Sequence, residues 1–125
     1  MGVVEVLRDI ARIAEGRGLE ARVDEDRRVL TVSHPDVPVS AVFEPSDGEF
    51  RVVIRAGDEL RERIDELLDE DVDPREVVEE ALDTVIAVVD RGITMLERQG
   101  VRVRRDTRGG ILDVYDAIES FVEEA

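Results

Sequence analysis

The chain has 125 residues and a formal net charge of −15, from 32 acidic against 17 basic side chains, and it contains no cysteine. That length fits a single domain over residues 1–125. Zero cysteine excludes disulfides, thiolate metal sites and a thiol nucleophile, and the charge opposes nucleic acid and anionic membranes as partners in ordinary buffer.

Val3, Val6, Leu7, Ile10, Ile13 and Ala14 recur at helical spacing, with Gly16 and Gly18 as the stop, so a helix is predicted over residues 3–16. The period then becomes two. Leu19, Ala21 and Val23 alternate with charged residues, and Leu30 and Val32 follow a turn at Glu25-Asp26. Pro35 and Pro38 break that strand. Val39, Ala41 and Phe43 form a third, Pro45-Ser46-Asp47-Gly48 a turn, and Phe50, Val52 and Ile54 a fourth. Four short strands joined by short turns read as an antiparallel meander with one face buried.

Asp58 is an expected N-cap for a surface helix over residues 58–70, where only Leu60, Ile64, Leu67 and Leu68 are apolar. Asp73, Pro74 and Glu76 supply an N-cap, a first-position proline and a third-position acid. The helix they start should reach Gln99 and end at Gly100. Its apolar stripe (Val78, Ala81, Leu82, Val85, Val89, Ile93, Leu96) is widened by Val77, Ile86, Val88 and Met95. Val101 and Val103 alternate with Arg102 and Arg104 in an expected edge strand. Gly109-Gly110 opens a last helix with Val114, Ala117, Ile118, Phe121 and Val122 inward. The fold class is α+β: an antiparallel sheet of four to five strands with helices packed on one face, in the order α-β-β-β-β-α-α-β-α.

No catalytic set emerges. Asp69, Asp71, Asp73 and Glu80 match the ligand spacing of a calcium loop, but the sixth position needs glycine and is Pro74. The segment reads instead as an acidic connection with a helix cap, and no metal is assigned. His34, the only histidine, has no second histidine for a zinc site, and Asp36 is its one nearby carboxylate partner. No nucleophile elbow surrounds any serine. Catalytic residues and cofactors are therefore read as none, and an enzyme is the least favoured class.

Arg98, Arg102, Arg104, Arg105 and Arg108 crowd eleven residues with one acid, Asp106, among them. This segment, with the helix start at Gly109-Gly110, is the candidate anion or partner site: Arg102, Arg104, Arg105, Arg108, Gly109 and Gly110. The competing reading makes these arginines internal partners for acids, those of residues 58–70 among them, or guards of a strand edge.

Every basic residue is arginine, and the acid excess resembles that of proteins from extremely halophilic archaea. At about 1 M salt the Debye length falls to roughly 3 Å, so self-repulsion is nearly screened out. The expectation is an archaeal, cytoplasmic protein of halophile type, with no signal peptide at its start and no membrane span. The over-wide apolar surface of the long helix points to a non-catalytic protein-interaction module, most simply a homodimer. The layout resembles that of the small α+β chaperones of type III secretion and related adaptors, which implies dimerisation and binding of extended client segments. The alternative is an anion- or nucleotide-binding regulatory module built on residues 98–108 and the following glycines.

Overall fold

A computed structural model describes residues 2–57 and 59–106. Their order is α1 (Val3–Gly16), β1 (Glu20–Asp24), β2 (Val29–Ser33), β3 (Val39–Ser46), β4 (Glu49–Ala56), α2 (Leu60–Asp69), α3 (Pro74–Arg98) and β5 (Val103–Asp106). The expected α+β order holds through β5. The last predicted helix and the Asp58 cap lie outside the described residues, and α2 starts at Leu60 with no side-chain cap bond.

The three described helices close the same way. Leu19, Val72 and Val101 each donate an N–H to the carbonyl five residues back, at Ala14, Leu67 and Leu96. The residue before each, Gly18, Asp71 or Gly100, has positive φ. This is the Schellman ending, which folds the next apolar residue back onto the last turn. Val101 is thereby used by the helix end, so β5 begins at Val103 and not at Val101. At the start of α3, the Asp73 side chain accepts from the Arg75 N–H, with Pro74 as the first helical residue.

The sheet order is β1-β2-β3-β4-β5. Strands β1 to β4 pair antiparallel, the β3–β4 turn being Asp47-Gly48 with both φ values positive. That is the two-residue turn whose twist suits a hairpin. The β4–β5 pair is parallel, because the chain returns through two helices instead of a hairpin.

One face of the sheet carries the core. Leu30, Val32, Ala41, Phe43, Val52 and Ile54 are almost fully buried there with Leu7 and Ile10 of α1 and Val85, Val89 and Leu96 of α3. Helix α3 packs against α1, α2, β3 and β5. The extra apolar width of α3 is therefore met inside one chain: Val88 is fully buried, and Ile86, Val77 and Met95 pack on the core. Gly92 stands where α3 crosses Phe43 and Ile10, with no room for a Cβ.

Among the described residues, the ion pairs from Arg8–Glu25 to Arg105–Asp90 join side chains at least 30% exposed. Arg8 holds Glu25, tying α1 to the β1–β2 turn, and that bond and charge make its guanidinium harder to deprotonate. Such pairs contribute little each and cannot offset repulsion among 32 acids. The melting midpoint is expected to rise as KCl goes from about 0.1 M to about 1 M. Calorimetry across that series checks it, and a flat profile removes charge repulsion as a determinant of stability.

Candidate functional site

Strand alternation and register define the sheet face opposite α1 and α3. Pairing places Arg22, Thr31, Val42, Val53 and Asp106 in one row across all five strands. A second row runs Glu20, Ser33, Ser40 and Arg55 among the described residues. On the other side of the first row lie Asp24 and Val29, then Glu44, Arg51 and Arg104. Among the described residues no helix packs on this face. Thr31 and Val42 are half-buried at its centre, and Val53 is buried beside them.

The charges on this face are ordered. Down the β1 edge the signs run acid, base, acid: Glu20, Arg22, Asp24. On β4 and β5 the corresponding rows carry base, acid, base: Arg55, Asp106, Arg104. Between them Arg51 Nε lies 3.5 Å from Glu44 and 3.9 Å from Asp106, and has no hydrogen-bond acceptor among the described residues.

The arginine segment is spread over several directions. Arg105 points to the helix side, where it pairs with Asp90 of α3. The partner is thus an acid of α3, not one of the acidic helix over residues 60–69. Arg104 stands on the open face beside Arg51. The Arg102 carbonyl accepts from Phe50 N–H at 2.8 Å, while its residue lines a cavity at the end of the sheet. Arg108, Gly109 and Gly110 lie outside the described residues.

That cavity has a volume of about 410 Å³ and is bounded by Val3, Arg28, Pro45, Glu49, Phe50, Val101 and Arg102, among others. Arg28, absent from the residues that sequence spacing selects, comes from the β1–β2 turn and has φ 56. No spacing rule links residues 28 and 102. Its legible signal was two adjacent arginines, Arg27 and Arg28, in a turn otherwise made of acids.

His34 builds a loop. Its Nδ1 accepts from the N–H groups of Asp36 and Val37, both at 3.1 Å. Asp36 meets the imidazole through its backbone N–H. The arrangement buries Val37 and sets Pro38, whose carbonyl accepts from Gly57 N–H. Replacing His34 with alanine leaves two N–H groups without this acceptor, and a loss of about 1–2 kcal/mol is expected in urea unfolding. His34→Asn, whose amide oxygen can accept the same bonds, should lose less. Equal losses would remove the hydrogen bonds as the cause.

Asp69, Asp71 and Asp73 fall on a helix end, a left-handed connection and an N-cap, in that order. Among the described residues no group of three acidic or histidine side chains could hold a metal ion. Nor is any helix there long and apolar enough to cross a membrane. Comparison with protein-family models, curated proteins and solved structures gives no significant match.

Proposed function

We propose that this chain is a non-catalytic interaction domain that self-associates through the open face of its sheet. The observation that carries the reading is the reversal of sign between the β1 edge and the β4–β5 edge, row by row. A second copy placed face to face, about a two-fold axis running along β3, puts β1 of one copy over β5 of the other. Arg22 then opposes Asp106 of the second copy, Asp24 opposes Arg104, and Glu20 comes beside Arg55. Val42 meets Val42, and Thr31 meets Val53. An axis across the strands instead sets Glu20 against Asp24, Arg22 against Arg22 and Asp106 against Asp106. The first arrangement leaves one like pair, Glu44 on the axis, each with Arg51 of its own chain 3.5 Å away, so the charges select it.

The test is molar mass by light scattering in molar KCl over a range of protein concentration. The expected result is a concentration-dependent rise toward twice the 14.0 kDa chain mass. Val42→Arg, which sets two cations on the axis, should remain monomeric with an unchanged circular dichroism spectrum. A native chain that stays monomeric at every concentration overturns the reading, as does a Val42→Arg variant that still associates.

A further inference from the structure

We infer that the cavity between the start of α1, the β3–β4 turn and the entry to β5 is a binding site for a small organic monocarboxylate with an apolar body. The site is separate from the open face, and its occupancy does not depend on self-association. At about 410 Å³ it falls at the small end of ligand pockets, which run from roughly 300 to 1,000 Å³. Val3, Phe50 and Val101 supply apolar wall, and Arg28 and Arg102 supply two guanidinium groups. No carboxylate is paired with either arginine among the described residues, although acids outnumber bases 32 to 17 in the chain.

Two further features shape the site. Arg28 sits in the left-handed region at φ 56, where glycine or asparagine is the cheaper residue. The turn needs the positive φ, as the turns at Asp47 and Asp71 do, but not an arginine. Beside it, a second hollow shares Val3 and Arg28 and reaches Gly2, Val4, Glu5 and Arg8, at the first turn of α1. No side chain caps that turn, and Glu5 stands in it, so the field of its free N–H groups is offset there by one carboxylate.

Glu49 decides the class of anion. It also lines the cavity, so the ionisable lining is two arginines against one acid. A single negative charge balances that lining, whereas a phosphate dianion exceeds it and meets Glu49 as a like charge. An arginine fork suits a carboxylate, and the apolar wall requires more than a bare ion.

The experiment titrates octanoate into the full-length protein in molar KCl, with heat and melting midpoint as readouts. Inorganic phosphate and octylammonium are run as comparisons. Saturable one-to-one binding of octanoate is expected, with neither comparison binding. Arg28→Gly removes the charge and relieves the backbone, so it should raise the melting midpoint of the free protein while weakening octanoate about tenfold. Arg102→Ser should weaken it by a similar factor. No octanoate binding, unchanged affinity in both variants, or equal binding of octylammonium or phosphate overturns the assignment. The Val42→Arg variant should bind octanoate like the native chain, which keeps this result distinct from the dimer test.

Discussion

Substituting alanine for Gly92 is expected to destabilise the fold by about 1–2 kcal/mol, although helix propensity alone favours alanine by about 1 kcal/mol. The added Cβ would lie 2.9 Å from Phe43 Cζ, 3.1 Å from Phe43 Cε2 and 3.2 Å from Ile10 Cδ1. Neither neighbour can yield freely, since both are fully buried between α1, α3 and the sheet. Overpacking of this kind costs about 1–3 kcal/mol, so the steric term outweighs the propensity gain. The consequence is structural: Gly92 sets how closely α3 approaches β3. Urea unfolding of the native chain and Gly92→Ala in molar KCl checks the sign. Adding Phe43→Leu should cost less in the Gly92→Ala background than in the native one, because the shorter side chain vacates the ring edge. A stabilised Gly92→Ala would mean that α3 does not rest on Phe43.

Gly92 also shows where reading the sequence stops. The helical period of Val85, Val89, Ile93 and Leu96 marks the stripe, and a glycine between Val89 and Ile93 is visible in it. What it permits is not, because Phe43 lies far away in sequence and only packing brings the two together. Features that depend on near neighbours were legible. The Asp73-Pro74 start, the glycine ends of α1 and α3 and the period-two strands all read correctly, since caps and alternation are local. The parallel β4–β5 pair was not, since it depends on where a two-helix excursion lands. The width of the α3 stripe was legible, but its cause was not: α1, α2 and the sheet consume it within one chain. The arginine segment likewise reads as one patch along the sequence. Strand geometry sends Arg104 and Arg105 to opposite faces, while Arg28, distant in sequence, joins Arg102 at the cavity. The ordered charges of the open face need the strand order as well as alternation, because Arg22 and Asp106 share a row only across four strand pairings.

Asp106→Arg is expected to weaken self-association by about five- to thirtyfold, even though it makes each chain less negative than the native −15. The two effects compete. Lower net charge reduces long-range repulsion and favours association, but in molar salt the Debye length is roughly 3 Å and that gain is small. Contact pairs survive such screening better, and two-fold symmetry presents the altered residue twice, each time to Arg22 of the other copy. Losing an attraction of about 0.2–1 kcal/mol at each place, and adding repulsion, sums to roughly 1–2 kcal/mol. That matters because the face is small. Five strands about 4.8 Å apart and three rows along them cover roughly 450 Å² per copy, below the usual ~800 Å², so the native dimer should itself be weak. The geometry tolerates sheet twist. Edge strands lie about 10 Å from β3, and a crossing of about 30° displaces an edge residue by about 5 Å, within an arginine's reach. Adding Arg22→Glu restores the opposition with signs exchanged and should recover most of the affinity, whereas Arg22→Glu alone should weaken it. Sedimentation equilibrium of the four proteins measures the coupling. Additive effects, with no recovery in the double variant, would place Arg22 and Asp106 out of contact and reject the axis along β3.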